Sequence, residues 1–174
     1  SAYKLIEINN KYKIIKKGGS VLDLGCWPGG WMIVAKKASN KGYVLGIDIK
    51  VINPVQGCDF LKADIYSENI VELIKSKREK FNVVLSDLAP RTTGIKELDK
   101  ERSNELCFTA LKIAENALID KGNFLCKIFQ NDEQKKLIDI MRKKFNYVRI
   151  VKPQSSKKRS METYILGLGF NRRQ

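Results

Sequence analysis

The sequence predicts an α/β fold: a mainly parallel, seven-stranded sheet with an antiparallel last strand and helices on both faces, in one domain over residues 1–174. Three observations predict it. Short apolar runs rich in β-formers alternate with longer amphipathic stretches, as parallel neighbours require, because they are joined by helical crossovers. The first apolar run ends in a glycine cluster that leads into a helical stretch, the turn found where such sheets receive nucleotides. The last two apolar runs are separated by a short polar loop with no room for a crossover helix, so the final strand turns back antiparallel.

Taken in order, an N-terminal helix carries Lys4, and residues 20–24 form the first strand. Residues 30–39 have helical length, 43–49 read as the second strand, and 58–63 as a third with a weaker pattern. Residues 67–80 read as a helix and 81–87 as the fourth strand. In 100–119, Leu106, Ala110, Ile113 and Ala117 recur along one helical face. Residues 123–129 give the fifth strand, 132–145 a helix, and 147–151 and 163–168 the last two strands.

Composition narrows the chemistry. Lys and Arg number 33 against 19 Asp and Glu, a formal net charge of +14 with a pI near 9.7, which favours a polyanionic partner and nucleic acid first. Histidine is absent, which excludes Ser-His-Asp triads, Cys-His pairs and most zinc or iron sites, so no metal is expected. The four cysteines form no C-x-x-C pair, which fits a reducing, intracellular compartment. No apolar run reaches the roughly 20 residues that span a bilayer, so a soluble protein without a membrane partner is expected; a monomer is expected as well.

The densest signal is Asp23-Leu24-Gly25-Cys26-Trp27-Pro28-Gly29-Gly30-Trp31. Glycines let the backbone turn off the strand and admit a ligand where a Cβ would clash. The spacing is not the G-x-G-x-x-G that seats a pyrophosphate on a helix N-terminus, and Asp23 suits an amino-bearing ligand better than a phosphate. S-adenosylmethionine is favoured over a nicotinamide dinucleotide. Asp48, ending the second strand, stands where an acid receives ribose hydroxyls, and Asp64, after the third, where one accepts from an adenine amino group.

The segment after the fourth strand narrows the acceptor. Ser86-Asp87-Leu88-Ala89-Pro90 lacks the Asn/Asp-Pro-Pro-aromatic pattern of exocyclic amine methylation, and no cysteine comes after Pro or Thr as cytosine-C5 chemistry usually requires. Lys127 breaks the apolar run Phe124-Leu125-Cys126-Lys127-Ile128-Phe129, and a lysine placed there needs a partner.

Along almost its whole length the chain resembles the FtsJ-type (RrmJ) RNA 2′-O-ribose methyltransferases. The matching blocks are Ser1-Ala2-Tyr3-Lys4-Leu5, Asp23-Leu24-Gly25 with Pro28-Gly29-Gly30-Trp31, Asp59-Phe60-Leu61, Ser86-Asp87-Leu88-Ala89-Pro90, Lys127-Ile128-Phe129-Gln130, Lys152-Pro153 with Ser155-Ser156, and Met161-Glu162-Thr163-Tyr164-Ile165. The resemblance implies a Rossmann-like S-adenosylmethionine-dependent fold, with S-adenosylhomocysteine as product. It implies a Lys-Asp-Lys-Glu tetrad at Lys4, Asp87, Lys127 and Glu162, and a cofactor site of Asp23, Gly25, Pro28, Gly29, Gly30, Trp31, Asp48, Asp64 and Asp87. The implied partner is ribosomal RNA or a ribosomal particle, at a large-subunit uridine. A transfer-RNA anticodon loop or a cap-adjacent ribose is the alternative, and a non-catalytic RNA-binding protein a further one. Trp27 departs from the pattern, standing where relatives usually carry a small residue. Lys127 either takes the hydroxyl proton or orients the oxygen and steadies its charge, and the polar loops 91–96 and 152–159 are expected to contact RNA phosphates.

Overall fold

The computed structural model describes residues 1–172; Arg173 and Gln174, the end of the expected domain, lie outside the described residues. The chain runs α1 (Ala2–Tyr12), β1 (Val21–Leu24), α2 (Gly30–Ala38), β2 (Val44–Asp48), β3 (Asp59–Lys62), α3 (Ile70–Lys77), β4 (Phe81–Ser86), α4 (Lys96–Ala117), β5 (Leu118–Phe129), α5 (Gln134–Arg142), β6 (Phe145–Val151) and β7 (Glu162–Phe170). One seven-stranded sheet has the order β3-β2-β1-β4-β5-β7-β6. The pairs from β3 across to β5 are parallel, whereas β7 is antiparallel to both its neighbours. The predicted fold class is borne out, with the last strand inserted between β5 and β6.

Both faces of the sheet are covered, which is why β1 is buried at every position. On one face Leu5 and Ile8 of α1 and Met32 and Ala35 of α2 pack against Val21, Val83 and Leu125. On the other, Ile74 of α3, Ala110 and Ala114 of α4, and Leu137 and Met141 of α5 pack against Leu22, Val84 and Phe124. For α1 this packing decides the matter: a helix of 11 residues is marginal alone, and burying Leu5 and Ile8 stabilises it by about 1.5–3 kcal/mol each.

Several helix limits differ from the predicted ones. Residues 67–69 are used by turns, because Ser67 N–H donates to Asp64 O at 3.0 Å and Ile70 N–H to Ser67 O at 3.1 Å, so α3 begins at Ile70 and ends at Lys77. The fourth helix starts earlier than expected, at Lys96. There Asp99 Oδ1 accepts both the N–H and the hydroxyl of Thr93 at 2.8 Å, folding the preceding loop onto the first turn. Its end is earlier too, since Leu118 pairs with Phe81 in the sheet. Phe145, expected at a helix end, begins β6 opposite Phe170, with which its ring packs at 5.3 Å.

Strand order also fixes where a ligand enters. From β1 the chain crosses to β2 on one side, while β4 lies on the other, so the carboxyl ends of β1 and β4 frame the switch-point crevice.

Candidate active site

At the end of β1 the backbone turns at Gly25, whose φ of 74° is left-handed and whose missing Cβ leaves room for the Leu88 side chain. The N–H groups of Gly25 and Cys26 both donate to Ile47 O, at 2.8 and 3.0 Å, fixing the turn to β2. Gly29, at φ 119°, caps α2. This turn borders a cavity of about 340 Å³, with Asp23, Gly25, Pro28, Gly30 and Trp31 on its wall, and it extends to Lys4, Asp87 and Lys127.

Asp23 sets the character of that wall. It is wholly buried, and among the described residues neither carboxylate oxygen has a hydrogen-bond partner. Burial, followed by the charges of Asp87 and Asp48, holds its carboxyl well above the usual range. An orphaned buried acid beside an open cavity, in the negative field of Asp87 and Asp48, fits a ligand that brings a cation with N–H donors, such as the amino group of S-adenosylmethionine, and that field disfavours a phosphate. Cys26 also lines the cavity, but burial and then the Asp23 and Asp48 charges push its thiol up to about 12, so it stays protonated and a poor nucleophile at neutral pH.

The sheet register assembles the opposite wall. Ser86 pairs with Cys126, so Asp87, just past the end of β4, and Lys127, near the end of β5, come next, side by side. Antiparallel β7 brings Tyr164 opposite Lys127 and Glu162 opposite Phe129. Lys127 Nζ lies 3.1 Å from Asp87 Oδ1 and 3.5 Å from Glu162 Oε1, and Lys4 Nζ, from α1, reaches Glu162 Oε2 at 3.6 Å. Acid and base thus alternate along Lys4, Glu162, Lys127 and Asp87. The Lys127 side chain is only 11% exposed, so the two carboxylates compensate a charge that would otherwise be costly in a strand.

Two further groups meet Asp87. Tyr164 donates its hydroxyl to Oδ1 at 2.7 Å, and Ser1 donates its hydroxyl to Oδ2 at 2.7 Å. Burial and then the charge of Asp87 push the Tyr164 phenol far up, so it remains a donor throughout the physiological range. Sequence reasoning missed both residues. Tyr164 carried a usable signal: it lies two positions after Glu162 on one strand and therefore on the same face.

The remaining predicted cofactor residues are spread more widely. Asp48 sits beside the cavity mouth, where Oδ2 accepts the Trp27 N–H and Oδ1 the Lys50 N–H, each at 2.9 Å. That arrangement places Lys50 Nζ 4.4 Å from the centre of the half-exposed Trp27 ring, a cation–π contact at the rim. Asp64 is exposed at the end of β3 and accepts the Tyr66 N–H at 2.9 Å, away from the tetrad cavity.

A switch-point cavity that is acidic where a dinucleotide enzyme must accommodate phosphates belongs to the α/β methyltransferase class. Residues 1–170 match the model of the FtsJ-like methyltransferase family. A relative named ribosomal RNA large subunit methyltransferase E, from Desulfotalea psychrophila, is 40% identical over 180 residues, covering 100% of this chain and 90% of its own length. A Wolbachia pipientis protein of the same name is 42% identical over 171 residues, covering 98% of this chain and 88% of its own. A crystal structure described as a ribosomal RNA methyltransferase of Plasmodium falciparum superposes with a TM-score of 0.86 at 28% identity, covering 97% of this chain and 96% of that one. The chain belongs to the FtsJ-like methyltransferase family, as its sequence blocks had implied.

Proposed function

We propose that this protein transfers a methyl group from S-adenosylmethionine to a ribose 2′-hydroxyl, at a uridine of large-subunit ribosomal RNA. The observation that carries the reading is Lys127, set between Asp87 and Glu162 in the otherwise apolar last stretch of β5, residues 124–129, and opening on the cavity that holds Asp23. The names of the full-length relatives and the net charge of +14 support an RNA acceptor.

Asp23, Gly25, Pro28, Gly30 and Trp31 would hold the methyl donor, with Asp48 at the rim. When bound, S-adenosylmethionine supplies an electrophilic methyl on a sulfonium and leaves as S-adenosylhomocysteine. Lys127 does the rest of the positioning. Held between two carboxylates, its Nζ donates to one lone pair of the 2′-oxygen and leaves another aimed at the methyl. Asp87 is itself fixed by Tyr164 and Ser1, so the lysine is oriented from behind. As the oxygen gains its third bond its proton becomes acidic and leaves late, to solvent. Lys4 balances the second oxygen of Glu162 and keeps that acid aimed at Lys127.

The test incubates the protein with methyl-labelled S-adenosylmethionine and separate ribosomal and transfer RNA pools, then maps the modified ribose by its resistance to alkaline cleavage. Label in large-subunit RNA is expected, and label confined to transfer RNA or protein overturns the reading. Lys127→Ala should lower turnover by about 10²–10³-fold with donor affinity little changed, and near-normal turnover would remove Lys127 from its role.

A further inference from the structure

Glu7 lies one turn after Lys4 on α1, but its carboxylate serves a different segment. Oε2 accepts the Gln154 N–H at 2.6 Å and Oε1 the Ser155 N–H at 3.1 Å, both at the entry of the connection between β6 and β7. That connection is two successive turns, closed by Ser156 N–H to Pro153 O and Ser160 N–H to Lys157 O, each at 3.0 Å. Lys152 Nζ donates across it to Ser160 O at 2.5 Å. At the exit, Ser160 Oγ accepts the Glu162 N–H at 3.1 Å, and Glu162 is the acid that Lys4 meets. α1 therefore holds the connection at both ends, through Glu7 at the entry and Lys4 at the exit.

Between those two grips stand Lys157, Lys158 and Arg159, all exposed, and among the described residues none of the three is in an ion pair. Three adjacent cations repel one another and extend a free loop. Two backbone N–H groups gathered by one carboxylate counter that tendency, since charge-assisted hydrogen bonds are roughly twice as strong as neutral ones.

We propose that Glu7 is a positioning residue for the RNA substrate: by clamping the entry of this connection to α1, it holds Lys157, Lys158 and Arg159 on the connection that leads into Glu162, where they take substrate phosphates. This role rests on the RNA methyltransferase reading and adds the element that sets the basic surface against the reacting lysine. Its sign is diagnostic. Glu7 is an anion next to a surface meant for a polyanion, so if it acted only through its charge, neutralising it would tighten RNA binding. A clamp gives the reverse.

The experiment measures methyl transfer to large-subunit ribosomal RNA, and donor binding by calorimetry, for the wild type, Glu7→Gln, Glu7→Asp, the triple variant Lys157→Ser/Lys158→Ser/Arg159→Ser, and the triple variant carrying Glu7→Gln. Gln replaces one acceptor oxygen with a donor, and Asp keeps the charge but shortens the reach. Either is expected to raise KM for RNA by about fivefold or more, with kcat within about twofold, donor affinity unchanged and a shallower dependence of KM on salt. In the triple background Glu7→Gln should add nothing, because the cations it positions are gone. A lowered or unchanged KM in both single variants, or a full additional loss in the triple background, overturns the clamp while leaving the methyltransferase reading intact. A wild-type protein that labels no RNA takes both down, and thermal melts exclude misfolding as the cause of a raised KM.

Discussion

A carboxylic acid buried without a partner is easier to keep protonated than to ionise, and Asp23 is in that position. Because its folded pKa is raised above the unfolded value, the stabilising contribution is complete below the unfolded value of about 3.9. It is lost as pH rises through the higher folded value. The ligand-free protein should therefore lose melting temperature across that window relative to Asp23→Asn, which has no charge to bury. At neutral pH the Asn variant should melt higher, by roughly 2–4 °C for each kcal/mol recovered, yet bind S-adenosylmethionine at least about tenfold more weakly. Parallel melting curves with pH for the two proteins would remove Asp23 from this role. Tyr164 is a sharper case at the same scale. Its ring packs 5.8 Å from Trp31 and its hydroxyl holds Asp87, so Tyr164→Phe keeps the packing and deletes one hydrogen bond. Steady-state turnover should fall about tenfold with little change in stability, and a large loss of melting temperature with normal turnover would make the phenol structural.

At the scale of elements, the site exists because an antiparallel strand enters a parallel sheet. β7 carries Glu162 and Tyr164 on one face and pairs directly with the strand of Lys127, which itself pairs with β4, so the two registers together set the Lys127–Glu162 ion pair and bring the Tyr164 hydroxyl to Asp87. Legible and hidden residues divide along this line. Lys127 was legible because a lysine interrupts an apolar run, Asp87 because it comes after a strand toward the ligand edge, and Asp23 because it precedes the glycine turn. Tyr164 was harder to read, since its place two residues after Glu162 competes with the reading of any strand aromatic as core, and the side chain is indeed fully buried. The Glu7 contacts join positions 147 and 148 residues apart through backbone N–H groups, which leave no mark on residue identity. Helix limits failed for a similar reason, Thr93 with Asp99 and Phe145 with Phe170 being contacts that propensity does not encode. The glycine turn was legible and carries its own prediction. A side chain at position 25 would need a left-handed backbone and would meet Leu88, so Gly25→Ala should cost about 1–3 kcal/mol in urea unfolding and weaken donor binding. An unchanged urea midpoint would show that the turn relaxes without loss.

For the molecule as a whole, the formal charge of +14 acts at long range, whereas the cavity is locally balanced, with Lys4 and Lys127 against Asp87 and Glu162. The two substrates should therefore respond differently to salt. RNA brings a phosphate for every nucleotide and a condensed counterion layer, and each phosphate neutralised releases counterions, giving a slope in log K against log salt of about −0.7 per contact for single strands and −0.9 for duplex. If Lys157, Lys158 and Arg159 each take one phosphate, those three alone lower affinity by roughly 20-fold or more between 50 and 200 mM salt, and further contacts steepen the fall. The methyl donor meets paired, partly buried charges inside a cavity, where screening by a Debye length of about 8–10 Å changes little. KM for large-subunit RNA should rise steeply over that range while donor affinity moves by less than about twofold. A KM indifferent to salt would mean that the basic surface is solvated rather than used, and that RNA is recognised by contacts inside the cavity alone.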